Sequence, residues 1–212
     1  MNWTDKIQVY NEDCMETMAR YEDGWFDLAI VDPPYGIETK GNAQDRFRMG
    51  KSLDLINDAK PNKKYFNELF RVSKNQIIWG YNHLSDLLPS CREFIFWYKN
   101  QPVPTFSDGE LAWTSFTKTA KCFNYSIHKS NASNKGNKIH PTQKPVALYN
   151  WILDRYAKPD FKIIDTHLGS GSNAISCHHY GCELVAAELD TDYYNDSHKR
   201  FKLNTAQQKL FT

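Results

Sequence analysis

One tetrapeptide, Asp32-Pro33-Pro34-Tyr35, constrains the fold of this chain more than any other stretch. It follows the apolar run 26–31, whose β-branched residues predict a buried strand. Two consecutive prolines cannot continue the hydrogen bonding of that strand, so the chain must turn rigidly at its carboxyl end. Open α/β sheets bind their ligands at this end of their strands. The corner offers a carboxylate, a free Pro33 carbonyl and a flat ring, which together suit a planar substrate bearing an amino group.

A second strand runs into a turn near the carboxyl end of the chain. The run 162–164 predicts a strand, and it leads through the turn Asp165–Ser172 into a helix. The glycines of such a turn allow close approach to a ligand, and its backbone N–H groups point at that ligand. The next strand ends at Glu188, about 20 residues past the first glycine, where an acidic residue typically binds a ribose hydroxyl. The two features together predict a nucleoside site.

Strands and helices alternate along the chain, which predicts an α/β fold with a doubly wound, mostly parallel sheet. A length of 212 residues fits one such domain. The predicted strands are 6–10, 26–31, 76–80, 93–98, 110–116, 161–164 and 184–187. The predicted helices are 14–21, 61–72, 84–88, 145–156, 172–180 and 191–203.

Composition excludes several classes of protein. Hydrophobic residues make up 41% of the chain, which indicates a globular rather than a disordered protein. No apolar run reaches the roughly 18 residues that a membrane span needs, and the start lacks a secretory signal. Five scattered cysteines favour free thiols in a reducing compartment, so we expect a cytoplasmic protein. The cluster from Cys177 to Cys182 has no second pair at metal spacing, so no metal site is predicted.

The distribution of charge indicates a nucleic-acid partner, although the net charge is only +1. Between Glu110 and Asp154 there is no acidic residue, and lysines alternate there with aromatic residues. This mixture suits a phosphate backbone and unstacked bases. The long polar stretch 37–60 predicts a mobile substrate loop that closes over a polyanion. The candidate contacts to DNA are Arg46, Arg48, Lys118, Lys121 and Lys129.

Four motifs in this order resemble those of the amino-group DNA methyltransferases that use S-adenosylmethionine. They are Asp32-Pro33-Pro34-Tyr35, His140-Pro141-Thr142-Gln143-Lys144-Pro145, Gly169-Ser170-Gly171 and Glu188. The order is that of the β group, with the catalytic motif first, and the resemblance covers nearly the whole chain. It implies a Rossmann-like class I methyltransferase fold with permuted motif order. Residues 1–212 would form a single domain, with 117–139 as a short target-recognition insertion.

The resemblance also implies roles for individual residues. The catalytic residues would be Asp32, Pro33, Pro34 and Tyr35. Asp13 would contact the adenine of the cofactor, and the segment 140–145 would lie against its methionine end. The full set expected to bind the cofactor is Asp13, Cys14, His140, Thr142, Lys144, Asp165, His167, Leu168, Gly169, Ser170, Gly171, Ser172, Glu188 and Leu189. Thr166 and His167 stand where the family usually has Pro and Phe, which bears on the packing around the cofactor.

By this resemblance the chain methylates the 6-amino group of adenine in DNA, because Asp at position 32 is typical of adenine enzymes and Ser of cytosine enzymes. The target base would be flipped out of the duplex and stacked on Tyr35. Alternatives are a cytosine 4-amino methyltransferase, an RNA or protein-glutamine methyltransferase, and an inactive DNA-binding subunit. A nicotinamide oxidoreductase would also use a glycine turn, but it does not explain residues 32–35. A homodimer and a bacterial or phage source fit the resemblance, whereas the sequence specifies neither a restriction partner nor a recognised site.

Overall fold

The centre of the protein is an eight-stranded sheet in the order β1-β8-β7-β2-β3-β5-β4-β6. The computed structural model describes residues 2–36, 59–102, 104, 107–126, 138–140 and 142–206. Its strands are β1 Ile7–Tyr10, β2 Leu28–Val31, β3 Gln76–Trp79, β4 Phe94–Tyr98, β5 Gly109–Thr114, β6 Lys121–Asn124, β7 Lys162–Asp165 and β8 Glu183–Ala187.

The five strands β1, β8, β7, β2 and β3 run parallel to one another. Strand β5 is antiparallel to both of its neighbours, β3 and β4, while β6 is parallel to β4. Seven of the eight described strands therefore point the same way. In the registers of the parallel pairs, Ala29 lies opposite Ile164 and Asp165 lies opposite Ala186. The carboxyl ends of β2, β7 and β8 consequently meet at one edge of the sheet.

Six helices surround the sheet in the described part of the chain, and polar side chains or glycines mark several of their ends. Asp13 accepts a hydrogen bond from the Met15 N–H (2.8 Å), and Asn62 accepts one from the Lys64 N–H (2.9 Å). Gly181 ends the fifth helix in the left-handed region (φ +91°). The helices are α1 Cys14–Met18, α2 Lys63–Val72, α3 Tyr81–Leu84, α4 Val146–Tyr156, α5 Ser172–Tyr180 and α6 Thr191–Ala206.

The sheet buries apolar side chains on both faces, as a doubly wound fold requires. On one face Ile30 packs in a cluster with residues of α4, α5 and α6, such as Leu148. On the other face Ala29 and Val31 pack with residues of α1, α2 and α3, such as Leu69. Because successive strand residues point to opposite faces, the continuous apolar run of β2 supplies both cores.

The architecture confirms the predicted α/β fold with a mostly parallel sheet. The differences are local. Strand β6 was not predicted, because only Phe123 of its four residues is buried and the rest of the strand reads as polar. It occupies part of the segment 117–139, so that part of the expected recognition segment belongs to the sheet. Helix α3 lies before the predicted 84–88, since it starts directly after the left-handed Gly80. No described helix is long and apolar enough to cross a membrane.

We predict that Leu69→Ala lowers the free energy of unfolding by about 2–5 kcal/mol, because it leaves a cavity beneath α2 in a fully buried position. Leu203→Ala is the matched control, since Leu203 of α6 is 65% exposed and its truncation should cost about 0.5 kcal/mol or less. Urea unfolding measures both values. Equal losses for the two variants would contradict the packing of α2 against the sheet.

Candidate active site

A cavity of about 1250 Å³ opens at the edge of the sheet where the parallel strands end. The segments that follow β1, β2, β7 and β8 each supply a wall residue, represented by Asp13, Asp32, His167 and Glu188. These strands are neighbours in the sheet, so their carboxyl ends converge although they are far apart in the chain. The cavity therefore joins the two turns that the sequence identifies as its most informative features.

The Asp32 corner is held rigidly by its neighbours. The Tyr35 hydroxyl donates a hydrogen bond to Oδ1 of Asp32, and the Lys144 ammonium donates one to Oδ2. The Tyr35 ring stacks on His83, with ring centroids 5.2 Å apart and planes 13° apart. Gly80 makes room for that ring, because a Cβ at this position would lie 2.1 Å from a Tyr35 ring carbon. Both oxygens of the Asp32 carboxylate are thus engaged by the protein itself.

Alternating charges continue from Asp32 into the wall of the cavity. Nζ of Lys144 lies 3.1 Å from Oε2 of Glu110, and Oε1 of Glu110 lies 2.5 Å from Nζ of Lys99. Burial opposes the charge on Lys144, but the two carboxylates more than offset it and raise the pKa of that ammonium. Burial likewise opposes the charge on Glu110, yet the two lysines lower its pKa to about 2. Lys144 and Glu110 are therefore both charged near neutral pH.

The glycine turn after β7 is braced by Glu188. The Gly169 N–H donates to Oε2 of this carboxylate (2.7 Å), and the Asp190 N–H donates to Oε1 (3.0 Å). Gly169 and Gly171 both adopt positive φ angles, +54° and +75°, which favour glycine. The Leu168 N–H donates to the carbonyl of Ala187 at the end of β8 (3.0 Å). Glu188 lines the cavity, and burial raises its pKa.

Arg200 of α6 supports the same turn from behind. Its guanidinium donates to the carbonyl of Ser170 (2.7 Å) and to the hydroxyl of Ser172 (3.0 Å). The Ser172 hydroxyl in turn donates to the carbonyl of Lys144 (2.7 Å). Burial lowers the pKa of Arg200 to about 10. Sequence reasoning missed this residue, because α6 carries many charged side chains and nothing in their spacing distinguishes the buried one.

Asp165 also acts behind the turn rather than within the cavity. Its carboxylate accepts hydrogen bonds from the side chain of Asn173 (3.0 Å) and from the His167 N–H (3.1 Å). Burial raises the pKa of Asp165 to about 7. The carboxylate therefore ties the start of the turn to α5.

Thr166 and His167 form a polar chain with Tyr65 of α2. The Thr166 hydroxyl lies 2.6 Å from the Tyr65 hydroxyl and 2.9 Å from Nδ1 of His167. Burial lowers the pKa of His167 to about 4, so its ring is neutral at pH 7. The ring also packs edge-on against Tyr65, with centroids 5.5 Å apart. These contacts replace the apolar packing that Pro and Phe would give.

His140 and Thr142 line the cavity beside the glycine turn. Nδ1 of His140 lies 3.1 Å from the Thr142 hydroxyl, and the ring packs against Tyr193 with centroids 4.5 Å apart. Burial lowers the pKa of His140 to about 4, so this imidazole is also neutral at pH 7. His140 and Thr142 of the segment 140–145 therefore present neutral polar groups to the cavity, whereas Lys144 of the same segment points to Asp32.

The comparisons with known proteins agree with this geometry. The family of DNA methylases matches residues 60–199, about two thirds of the chain. The chain belongs to that family. In sequence the methylase is similar to the type II methyltransferase M.HpaI of Haemophilus parainfluenzae, with 23% identity covering 88% of this chain and 71% of that protein.

Two solved structures show the same fold. One is the M1.HpyAVI–SAM complex, with a TM-score of 0.61 and 19% identity, covering 92% of this chain and 99% of that one. The other is the PvuII DNA methyltransferase (cytosine-N4-specific), with a TM-score of 0.61 and 12% identity, covering 96% of this chain and 93% of that one. The methylase thus has the class I methyltransferase fold that the sequence motifs imply.

Most of the expected site residues of the methylase meet in one cavity. Those that line it are Asp13, Cys14, Asp32, Pro33, Pro34, Tyr35, His140, Thr142, Lys144, His167, Leu168, Gly169, Ser170, Glu188 and Leu189. Asp165, Gly171 and Ser172 are not among the lining residues. Lys118 and Lys121 lie away from the cavity. Arg46, Arg48 and Lys129 lie outside the described residues, as does nearly all of the loop 37–60.

The cavity of the methylase has further lining residues that sequence reasoning missed. Tyr65, His83, Lys99, Glu110, Tyr149 and Tyr193 belong to this set. Of these residues, only Glu110 has a feature in the sequence that could have identified it. It is the last acidic residue before the long basic interval. Among the described residues, no group of three His, Cys, Asp or Glu side chains could hold a metal ion.

We predict that Gly80→Ala disables methyl transfer by displacing the Tyr35 ring, in addition to straining a backbone at φ +80°. Gly181→Ala is the matched control, because its φ is +91° but nothing lies within 4 Å of the new Cβ. Both variants should lose about 1–2 kcal/mol of stability from the left-handed backbone. Only Gly80→Ala should lose activity in a DNA methylation assay. Full activity in that variant would contradict the role of this packing.

We predict that His167→Phe makes the stability of the methylase less sensitive to acid. The folded-state pKa of His167 is about 4 against an unfolded value of 6.5, so the neutral ring stabilises the fold fully above pH 6.5. That contribution is lost as the pH falls towards 4. Urea unfolding at pH 7.5 and pH 5 should therefore show a loss about 2 kcal/mol smaller in the variant. The exposed His179 provides the control, and His179→Gln should leave the wild-type loss unchanged.

Proposed function

We propose that this DNA methylase transfers the methyl group of S-adenosylmethionine to the exocyclic 6-amino group of adenine in DNA. One observation carries the proposal. The Asp32 carboxylate and the glycine turn with Glu188 face a single cavity at the ends of neighbouring parallel strands. A carboxylate suited to an amino group and a turn suited to a nucleoside therefore lie within reach of each other.

The residues at the β7 side of the cavity fit S-adenosylmethionine. Glu188 already accepts two backbone N–H groups and has further lone pairs for ribose hydroxyls. Leu189 is 55% exposed beside it and offers an apolar surface to an adenine ring, with Asp13 on the same cavity. His140 and Thr142 would lie at the methionine end. The M1.HpyAVI–SAM complex, which has the same fold, supports this assignment. When bound, the cofactor supplies an electrophilic methyl group on a sulfonium.

Asp32 and Pro33 would activate the target amino group. The lone pair of that nitrogen is delocalised into the ring, so it is a poor nucleophile. Hydrogen bonds donated by the amino group to the Asp32 carboxylate and the Pro33 carbonyl favour a pyramidal nitrogen. The same acceptors stabilise the positive charge that develops on nitrogen during transfer. Holding the base at a rigid corner contributes further, since orientation removes an entropic cost from the reaction.

The substrate reaches this corner only when its base leaves the duplex, so we include base flipping in the proposal, with Tyr35 beside the flipped base. The DNA backbone would be held by Lys118 and Lys121 together with Arg46, Arg48 and Lys129. The loop 37–60 would close over the substrate, and residues 117–139 would read the sequence. A homodimer fits the proposal, and no restriction partner is required by it.

Methylation of the 4-amino group of cytosine is the second candidate. Similarity to the cytosine-N4-specific PvuII enzyme favours it, because both amino groups present the same donors to an acceptor pair. Asp at position 32 favours adenine, as the resemblance of the tetrapeptide implies. The proposal therefore gives adenine the preference and leaves the decision to product analysis.

We predict that wild-type protein, incubated with unmethylated DNA and labelled S-adenosylmethionine, yields 6-methyladenine when the DNA is digested to nucleosides and analysed by mass spectrometry. Asp32→Asn should lower the rate roughly 10²- to 10³-fold, because it removes the charge that faces the developing cation. Cofactor affinity, measured by calorimetry, should stay nearly unchanged. Asp27→Asn is the matched control, since Asp27 lies before the amino end of β2 and pairs with Lys74 (2.7 Å).

Each other outcome contradicts a different part of the proposal. Methylcytosine would overturn the base assignment and keep the mechanism. No methylated base with the cofactor bound would overturn DNA as the sufficient substrate. Near-normal turnover by Asp32→Asn would overturn the activation of the amino group by this carboxylate.

A further inference from the structure

The proposed acceptor of the target amino group is already paired with a buried cation. Oδ1 of Asp32 accepts the Tyr35 hydroxyl, and Oδ2 accepts the Lys144 ammonium. Each oxygen keeps a further lone pair, but the Lys144 ammonium offsets the charge of the carboxylate, so an incoming amino group competes with Lys144 for that charge. The Tyr35 hydroxyl cannot readily move away from Asp32, because the Tyr35 ring packs against Gly80 and stacks on His83.

Lys144 cannot give up Asp32 by turning to solvent. Its side chain is only 3% exposed, and a buried ammonium without a partner is strongly disfavoured. The nearest other acceptor is Oε2 of Glu110, which lies 3.1 Å from Nζ. The indole ring of Trp79 lies 5.3 Å from the same nitrogen and offers a further favourable contact to a cation. The ammonium thus has a second buried partner beside the first.

We propose that Glu110 is a positioning residue that holds the Lys144 ammonium while the target amino group occupies Asp32. The inference rests on the proposed function and adds to it a residue outside the recognised motifs. When the amino group arrives, Lys144 directs its hydrogen bonds to Glu110, and the charge on Oδ2 of Asp32 becomes available to the amino group. No charge enters or leaves the site, because the ammonium moves only between two neighbouring carboxylates.

Glu110 is built to stay in place during this exchange. It is the second residue of the reversed strand β5, opposite Trp97 of β4. Lys99, which follows β4, pairs with Oε1 of Glu110 (2.5 Å) and leaves Oε2 directed towards Lys144. Lys144 and Lys99 lower the pKa of Glu110 to about 2, so Glu110 is a carboxylate at neutral pH. A fixed, permanently charged acceptor is what a shifting ammonium requires.

Glu110→Gln tests the proposal. The amide leaves Lys144 with Asp32 as its one charged partner among the described residues, so the ammonium should stay on Oδ2 and weaken Asp32 as an acceptor for the amino group. We expect single-turnover methylation at pH 7.5 to fall roughly 10- to 100-fold, the range for losing a hydrogen bond to a charged group. Cofactor affinity should be unchanged. The double variant Glu110→Gln/Lys144→Met should be at least about fivefold faster than Glu110→Gln alone, because the competing ammonium is gone.

The pH profile separates this role from a merely structural one. Lys144 pairs with Asp32 and Glu110, and the other titratable groups of the same part of the cavity wall are Lys99, Tyr35, Tyr149 and His140. Losing Glu110 removes one of the two carboxylates that raise the pKa of Lys144, so the ammonium is neutralised at a lower pH and releases Asp32. The loss of methylation rate in Glu110→Gln, relative to wild type, should therefore become smaller between pH 7 and pH 9.5. Wild type measured over the same range corrects for general effects of alkali.

Two controls keep the test decisive. Glu93→Gln removes another buried carboxylate, which accepts from the Lys118 N–H and the Tyr156 hydroxyl (both 2.8 Å) and does not line the cavity. Any loss of methylation rate in Glu93→Gln should be the same from pH 7 to pH 9.5. Glu110→Asp keeps the charge and should stay within a few-fold of wild type, even where Glu110→Gln folds poorly.

The proposal is overturned when the double variant is no faster than Glu110→Gln, or when the deficit of Glu110→Gln is constant from pH 7 to pH 9.5. These results would leave the proposed function standing, since wild-type methylation and its loss in Asp32→Asn are measured in the same assay. Conversely, methylation of cytosine by the wild type would change the base assignment and leave the test of Glu110 intact.

Discussion

The pairing of β2 with β7 is the contact on which the site depends. It joins a strand near the start of the chain to one near its end, with Ala29 opposite Ile164. Closing so long a loop is entropically costly and is offset by the burial of both strands in the two cores. Once β2 and β7 are parallel neighbours, the Asp32 corner and the glycine turn must face the same edge. Neither turn could bind its ligand beside the other without this register.

The sequence was informative where the backbone itself is constrained. Two prolines after a buried run, and two glycines before a helix, allow few conformations, and the structure has strand-to-turn junctions at both positions. The chain of charges through Lys144, Glu110 and Lys99 could not be predicted. It depends on β5 lying between β3 and β4, and spatial strand order is not encoded in local patterns. Strand β6 was missed for a related reason, since an edge strand needs few buried side chains.

The departure from the family at Thr166 and His167 changes the physical character of one wall of the cavity. An apolar Pro-Phe pair would pack without hydrogen bonds, whereas these two side chains require partners. Tyr65 supplies them through the Thr166 hydroxyl, and burial keeps the imidazole neutral. These hydrogen-bonded side chains link α2 to the turn after β7. Polar contacts therefore connect helix α2 to the side of the cavity that is proposed to bind the cofactor. The exchange thereby buries an imidazole whose protonation disfavours the folded state.

The reversal of β5 divides the cavity into two parts with separate origins. The side proposed for the cofactor is built from the ends of β7 and β8, whereas Lys99 and Ser107 come from the connection between β4 and β5 and Glu110 from the second position of β5. A hairpin connection can change in length and sequence without disturbing the register of the parallel strands. Evolution can therefore alter the target side of this enzyme while the nucleoside side is retained. An engineer who wishes to change the substrate base should begin with the β4–β5 hairpin and leave the glycine turn untouched.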